Sequence, residues 1–403
     1  MGSSRQPKQL VYGSTRNLLR NCIRPPEGQI TDKYGDSFVM EFNIASDTET
    51  LTIPCQNVDT FDAVIDWGDG NSSTITTYND ADLAHEYVSA GIYLVSISGT
   101  LPNIYFNNSG DKLKLTKILN LGDVGFTTLE RAFYGCTNLT RMTVGTTDTS
   151  AVTNMAYMVR GCSSLLALNV SSFDTGAVTT MSNMFYGCSG LLTLDIFRFD
   201  TAAVTTMSNM FYSCSSLTTL DVSNFDTAEV MSMYRMFYNC SSLTALDVSN
   251  FDTVKVTTMT DMFLTCAGLP TVDVSNFDTA AVTAMGRMFY SCSNLTSLDV
   301  SGFDTAAVTS MYRMFYGCSG LPDIVMDGWD IEKVANFAEF LYGVTLPTAR
   351  YDATLIAWDA QNPIDSLTVD FGNSKYTSGG AVETARTSLS TGDSWGIQDG
   401  GAV

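Results

Sequence analysis

Eight cysteines recur at one fixed spacing through the middle of the chain. They lie 26 residues apart, at Cys136, Cys162, Cys188, Cys214, Cys240, Cys266, Cys292 and Cys318. The segments around them are near copies, such as LTTLDVSNFDTAEVMSMYRMFYNCSS from Leu217 and LTALDVSNFDTVKVTTMTDMFLTCAG from Leu243. A fixed period of about 20–29 residues is typical of solenoids, in which each repeat buries its apolar face against its neighbours.

The apolar pattern within one repeat predicts a strand, a turn and a helix. Leu217, Leu220 and Val222 follow the order L-x-x-L-x-L, and strand alternation directs Leu220 and Val222 inwards. After the turn, apolar residues recur with the spacing of one helix face. These are Val230, Met233, Met236 and Phe237. We therefore expect about nine strand–turn–helix coils, from a first strand at 113–118 to a last strand near 321–326.

The repeat resembles the BspA-type leucine-rich repeats of bacterial surface proteins. The resemblance lies in LDVSNFDT, VTTMSNMFYGCS and VTSMYRMFYGCS and covers residues 113–344. Upstream, FDAVIDWGDGNSS and HEYVSAGIYLVSISG resemble a polycystic-kidney-disease-type β-sandwich. Downstream, YDATLIAWDAQ and SWGIQDGG are similar to the terminal cap of such proteins, including copies in phage genomes. The resemblance implies surface display and binding through the concave face of the solenoid.

The flanking segments also have patterns of their own. Short alternating runs, FVMEFNI, ETLTIPC, FDAVIDW and GIYLVSIS, are separated by turn formers and predict an all-β module. The C-terminal segment predicts a helix with Leu355, Ile356 and Trp358 on one side, a second helix at Ala381–Leu389 and a closing strand near Trp395. We expect four parts: a basic N-terminal segment at 1–35, an immunoglobulin-like β-sandwich at 36–108, an α/β leucine-rich-repeat solenoid at 109–344 and an α/β cap at 345–403.

Charge is distributed unevenly along the chain. The net charge is −21, yet the first 33 residues hold six basic and two acidic side chains, so the rest carries −25. A body this acidic repels nucleic acid and anionic lipid, and we expect neither as a partner. The sequence contains no apolar run of about 18 residues, so we do not expect it to insert into a membrane. The basic segment is expected either to anchor the protein or to be a solvated leader. The anchoring residues would be Arg5, Lys8, Arg16, Arg20 and Arg24.

Two rows of aspartates repeat with the coils. The row in F-D-T is expected to cap the predicted helices. The row in L-D-V is predicted to lie on the concave strand face, at Asp195, Asp221, Asp247, Asp273 and Asp299. Like charges about 5 Å apart repel, and no capping role is expected to offset this repulsion. With Thr219, Ser223 and Ser249 alongside, these aspartates predict an acidic binding stripe; the alternative is a solvated strand face.

The remaining candidate groups predict structural roles. The cysteines form no C-x-x-C pair and the chain has a single histidine, His85, so we expect no metal site and no cofactor. Reduced, buried thiols are expected rather than disulfides between coils. Asp66 and Asp69 are too few carboxylates to predict a calcium site. The tyrosines that follow the core phenylalanines predict either packing between coils or a displayed aromatic row.

No nucleophile–base pair or phosphate-binding loop is recognisable, so we expect a non-enzymatic display and adhesion protein. Because no export signal is recognisable, we expect a bacteriophage virion component, such as a tail fibre or head fibre, on the virion surface. Its N-terminal segment would bind other virion proteins, and its solenoid a host surface protein or glycan. The alternatives are a bacterial cell-surface adhesin exported by another route and, less favoured, a surface-glycan hydrolase that uses clustered carboxylates.

Overall fold

Antiparallel strands build the N-terminal part of the protein, as the alternating runs predict. The computed structural model describes residues 34–403 apart from residue 146. The strands are β1 (Phe38–Ile44), β2 (Glu49–Thr52), β3 (Asp62–Asp66), β4 (Ser72–Ile75), β5 (Ala84–Tyr87) and β6 (Gly91–Thr100), with a 3₁₀ turn at Ala81–Leu83. Strands β2 and β5 form a separate two-stranded sheet. Trp67 and Tyr87 are fully buried in the core that both sheets share.

One sheet continues from these strands into the repeats. Strand β7 (Leu115–Asn120) pairs antiparallel with β1 and parallel with β8 (Arg141–Met142), so the sheet order is β4-β3-β6-β1-β7-β8. A salt bridge of 2.9 Å joins Glu41 Oε1 of β1 to Lys117 Nζ of β7. The expected boundary between residues 108 and 109 therefore falls between two strands of one sheet. Strand β1 covers an edge that the first coil would otherwise expose.

The strand side of each coil is short. Strands β9 (Ala167–Asn169) and β10 (Thr193–Asp195) pair in parallel, as do β11 (Thr219–Leu220) and β12 (Ala245–Leu246). Further along, a single bridge joins Thr271 to Ser297. Leu220 is buried whereas Asp221 is exposed, so the predicted inward and outward alternation is confirmed.

The segment predicted as a helix is a chain of turns. Alternate N–H groups donate to carbonyl oxygens of the next coil at 2.6–3.2 Å; these donors are Met155, Tyr157, Val159 and Gly161. The N–H groups between them donate to the carbonyl three residues earlier; these are Met158, Arg160 and Cys162. We call residues 155–162, with their equivalents in the other coils, the turn ribbon. A ladder of single parallel bridges runs beside it, through Asn154, Thr180, Thr206, Ser232, Thr258, Ala284, Ser310 and Asn336.

The helix prediction was wrong because the turn ribbon has the apolar spacing of a helix face. Val152, Met155, Met158 and Val159 are all fully buried, at the intervals a helix would give. A helix keeps its hydrogen bonds within itself, whereas the turn ribbon donates about half of them to the next coil. Stacking therefore satisfies the backbone as well as the apolar side chains. The repeats form a solenoid of strands and turns rather than an α/β solenoid.

A small cap closes the C-terminal end. It consists of α1 (Thr348–Asp359), β13 (Thr368–Asp370), α2 (Gly380–Thr387) with a π-helical turn at Ser388–Gly392, and β14 (Gly396–Gln398). Strands β13 and β14 are parallel, and a bridge from Phe337 to Val369 joins them to the last coil. Leu355 and Trp358 are buried as predicted, but Ile356 is 43% exposed. Its predicted place on the same side as Leu355 and Trp358 was wrong, because it lies about 100° around the helix from Leu355.

Candidate binding face

The predicted aspartate row lies on the strand side of the solenoid. Asp221, Asp247, Asp273 and Asp299 are exposed, one in each coil. Each Oδ1 accepts hydrogen bonds from the serine two residues later, from its N–H at 3.0–3.1 Å and its hydroxyl at 2.6–2.7 Å. The expectation that no capping role offsets the repulsion was wrong, because each carboxylate closes a turn at the end of its strand. Oδ2 takes no part in the turn.

At Asp273 and Asp299 these turns favour the charged form of the carboxylate. The hydroxyl and N–H of Ser275 lower the pKa of Asp273, although partial burial and the neighbouring charge of Asp299 oppose the shift. Ser301 lowers the pKa of Asp299 in the same way. Adjacent carboxylates therefore do repel each other, but the local donors outweigh that repulsion. The row is an anionic stripe, and the turns at Asp273 and Asp299 favour the charged form of those two carboxylates.

Asp195 begins the row and differs from the others. It is half-buried, and Phe197 stands where the later coils have serine, so Oδ1 accepts one N–H at 3.3 Å and no hydroxyl. Phe197 itself is 50% exposed. The stripe is therefore flanked by an apolar side chain at this end.

The polar residues predicted beside the stripe divide into two groups. Thr219 is exposed on β11, directly opposite Ala245 of β12. Ser223 and Ser249 donate their hydroxyls to Asp221 and Asp247. These serines position the carboxylates, whereas Thr219 is available for contact.

A shallow depression of about 400 Å³ opens at the C-terminal end of this face. Asp299 and Asp323 line it, together with Ser301 and Pro322. Arg350 of α1 approaches from the cap, with its guanidinium 3.1 Å from Asp323 and 3.3 Å from Asp327. Sequence reasoning missed Asp323 because the last coil reads LPDIVMD and departs from L-D-V.

The F-D-T aspartates close turns as well. Each Oδ1 accepts the N–H two residues later at 2.8–3.1 Å. The row comprises Asp148, Asp174, Asp200, Asp226, Asp252, Asp278, Asp304 and Asp330. Their predicted role as helix caps was wrong, since a turn rather than a helix follows. They form a second row of carboxylates on a different part of each coil.

The cysteine ladder is buried and unpaired, as predicted. Each of the eight thiols is free, and from Cys162 onwards Sγ donates to a carbonyl oxygen of the previous coil at 2.9–3.2 Å. Burial raises the pKa of Cys188, Cys266 and Cys318 to about 12, so these thiols stay protonated at neutral pH.

Within residues 34–403, apart from 146, no group of three or more His, Cys, Asp or Glu is arranged to hold a metal ion. In the same part of the chain, no helix has the length and apolar character needed to span a membrane. His85 has a structural setting: Nε2 lies 2.7 Å from Asp69 Oδ2, and the ring stacks on Trp67 with centroids 5.0 Å apart. The predicted anchoring residues Arg5, Lys8, Arg16, Arg20 and Arg24 lie outside the described residues.

Sequence reasoning missed a ladder of charged side chains along the turn ribbon. Asp261 is fully buried between two arginines, with Oδ2 2.8 Å from Arg235 Nε and Oδ1 2.8 Å from Arg287 Nε. One coil further, Arg313 lies 2.6 Å from Glu339. The available signal was that these residues occupy one repeat position and include both arginines and acidic residues. Their opposite charges form salt bridges that join neighbouring coils.

Comparisons with known proteins identify the repeats. Residues 127–245 and 231–358 match the family model described as "Mycoplasma protein of unknown function, DUF285". A leucine rich cell surface protein from Faecalibacterium prausnitzii A2-165, known from a crystal structure, is 15% identical over 72% of this chain and 90% of that chain, with a TM-score of 0.27. No curated protein sequence matches the chain. Because the family model spans residues 127–358, more than half of the sequence, the chain belongs to the family described as Mycoplasma protein of unknown function, DUF285.

Proposed function

We propose that the protein is a non-enzymatic adhesion protein that binds a partner through the strand side of its solenoid. The observation that carries the proposal is the row of exposed carboxylates at Asp221, Asp247, Asp273 and Asp299, each fixed by its own serine. A pre-organised anionic row favours a partner with basic groups, because little side-chain entropy is lost when it binds. Thr219 adds a neutral polar contact to the same face, and the depression beside Asp299 adds both hydroxyl groups and the Asp323 carboxylate.

The electrostatics of the row favour binding over glycan hydrolysis. A glycosidase needs two carboxyl groups in different environments, one of them with a raised pKa that keeps it protonated as the general acid. The pKa values of Asp273 and Asp299 are both shifted downwards, by the same kind of serine turn. The same turn recurs at Asp221 and Asp247. A row of exposed carboxylates held in the same kind of turn suits attraction of a cationic surface.

Among display sites, we favour the surface of a bacteriophage particle over a bacterial cell surface. The support is the ladder of eight buried, unpaired thiols. Proteins that fold in oxidising compartments tend to pair their cysteines, whereas a virion protein folds in the reducing cytosol before lysis. In this arrangement the basic N-terminal segment would bind other virion proteins, and the stripe would meet a host surface protein or glycan. Electron microscopy of source particles labelled with antibody to the solenoid tests the location; label on cell envelopes alone would favour the second candidate.

The role of the stripe is tested by replacing Asp221, Asp247 and Asp273 together with asparagine. Asparagine keeps the Oδ1 acceptor that closes each turn, so the change removes charge with little effect on the fold. We expect weaker attachment of the purified protein to intact host cells, and a smaller loss of attachment as salt is raised.

The matched control replaces Asp226, Asp252 and Asp278 with asparagine. These residues close turns of the same kind and carry the same total charge, but they lie outside the strand side. We expect this variant to attach like the unmodified protein. Equal weakening of attachment in both variants would mean that net charge alone governs attachment. If neither variant attached more weakly, the stripe would not contribute to binding.

A further inference from the structure

Two stacks of tyrosine side chains run along the turn ribbon. The first contains Tyr186, Tyr212 and Tyr238, with ring centroids 4.2 Å apart in each pair and ring planes within 2° and 8° of parallel. The second contains Tyr290, Tyr316 and Tyr342, with centroids 4.7 Å apart and planes within 9° and 12°. Leu264 occupies the equivalent position between the stacks and interrupts the row. Neighbouring coils therefore hold their phenol rings face to face and in register.

The phenol groups of a stack also lie side by side. The hydroxyls of Tyr186 and Tyr238 lie near enough to the Tyr212 hydroxyl to add to burial in raising the pKa of Tyr212. When two parallel rings have their oxygens adjacent, the ring carbons next to those oxygens face each other as well. The stacked tyrosines are half-buried, and Tyr342 at the end is 51% exposed, so an oxidant in solution can reach the stacks.

We propose that these stacks are sites of oxidative cross-linking, at which tyrosines of neighbouring coils couple to form dityrosine. The oxidant is hydrogen peroxide acting through a haem peroxidase, which removes one electron and one proton from each of two phenols. The two phenoxyl radicals form a carbon–carbon bond between the positions next to their oxygens. The hydrogen on each bonded carbon then moves to its oxygen and restores the phenol. Overall, two tyrosines and one hydrogen peroxide give one dityrosine and two waters.

A close tyrosine pair in the N-terminal part of the protein lacks this arrangement. Tyr87 and Tyr93 have centroids 4.1 Å apart, but Tyr87 is fully buried. Their hydroxyls also donate to different carbonyls, those of Trp67 and Ser89. This pair is shielded from the oxidant and its phenol oxygens are held apart. We expect coupling in the two stacks and none between Tyr87 and Tyr93.

A dityrosine would join two coils covalently. The cysteine ladder provides no such link, because its thiols are free. Each coil is otherwise held to the next by hydrogen bonds, packing and a few salt bridges, none of which is covalent. Coupling in the stacks would therefore restrain the separation of neighbouring coils in a protein exposed to peroxide.

The test treats dilute purified protein with horseradish peroxidase and hydrogen peroxide. We expect dityrosine fluorescence, an intact mass lower by two hydrogens per link, and cross-linked peptides that join residues 186 and 212, 212 and 238, 290 and 316, or 316 and 342. The chain should still run as a monomer on a denaturing gel. Links found only between separate chains, links mapped only outside the stacks, or no dityrosine at all would each overturn the proposal.

Three variants make the test specific. Tyr212→Phe keeps the stacked ring but should abolish both links of the first stack and leave those of the second. Tyr78→Phe, at an exposed tyrosine outside the stacks, should change neither. Leu264→Tyr should fill the interruption and create new links to Tyr238 and Tyr290. Thermal unfolding of each variant confirms that it is folded. An undiminished dityrosine yield in a variant carrying both Tyr212→Phe and Tyr316→Phe would rule out the stacks as the site.

Discussion

At the scale of single residues, the threonine of each F-D-T turn is buried between coils. Its hydroxyl donates at 2.8–2.9 Å to the backbone carbonyl of the aspartate in the next coil. The row comprises Thr149, Thr175, Thr201, Thr227, Thr253, Thr279 and Thr305, each 1–2% exposed. A buried donor and acceptor that satisfy each other fix the register of one coil on the next, because any slip would leave both unpaired.

Thr227→Val should lower the free energy of unfolding by about 1–3 kcal/mol, since valine keeps the shape of the side chain but deprives the Asp252 carbonyl of its donor. Urea denaturation measures the change. Thr257→Val is the matched control, because the Thr257 hydroxyl donates to the Met231 carbonyl at 3.2 Å but is exposed, so water can replace it. We expect that control to change stability by no more than about 0.5 kcal/mol. A similar loss of unfolding free energy in both variants would contradict the idea that the buried hydroxyl contributes more than the exposed one.

The candidate stripe shows what a sequence can predict about a site at this scale. The outward positions of Asp221 and its equivalents follow from strand alternation, and the prediction of their position is confirmed. Their pairing with serine was not predicted, because it depends on strands that end after two or three residues. The contact of Arg350 with Asp323 could not be predicted from the sequence either, since it forms only when the cap packs on the last coil.

At the scale of the element, backbone conformation separates the turn ribbon from a helix. Two residues of each turn ribbon have positive φ, four positions apart, as at Tyr157 (60°) and Gly161 (74°). A right-handed helix contains no such residues. The glycine before the cysteine in several repeats, as at Gly161 and Gly187, was a signal against a helix. The apolar spacing outweighed this glycine signal in the prediction, because the turns of this ribbon place buried residues at the same intervals as a helix.

Gly187→Ala should destabilise the protein by about 1–2 kcal/mol, the usual penalty for an L-residue in the left-handed region. Space does not confound this test: a Cβ at Gly187 would lie 3.7 Å from the nearest atom, an ordinary contact. Thr265 occupies the same repeat position with φ 57°, so Thr265→Gly should stabilise the protein. The conformational entropy that a glycine loses on folding limits this stabilisation to about 1 kcal/mol or less. Thermal or urea unfolding compares the two, and a neutral Gly187→Ala would show that the left-handed conformation is not required.

At the scale of the whole molecule, both ends of the solenoid are closed by different means. Strand β1 pairs with the first coil at one end, and β13 with α1 covers the last coil at the other. Buried apolar side chains form one cluster from Phe38 to Trp395. The sequence predicted the two flanking modules and the cap helices, but not that a shared sheet joins the first module to the repeats. That pairing joins residues far apart in sequence, which local patterns do not encode.

Trp358→Ala tests how stability is distributed along this stack. Trp358 is fully buried in the cap, its indole donates to the Met326 carbonyl at 3.2 Å, and its ring lies 5.2 Å from that of Phe337. Truncation of such a tryptophan costs about 3–5 kcal/mol. Because each coil contacts only its neighbours, we expect the loss to unfold the last coils before the middle ones.

Hydrogen exchange followed by mass spectrometry measures this distribution. In Trp358→Ala, the Met311 amide, which bonds to the Asn336 carbonyl near the cap, should lose protection. The Met207 amide, which bonds to the Ser232 carbonyl in the middle, should keep it. Ile356→Ala on the exposed side of the same helix should leave both protected. Equal loss of protection at Met311 and Met207 would mean that the solenoid unfolds as one cooperative unit, in which case the cap would stabilise every coil and not the last ones alone.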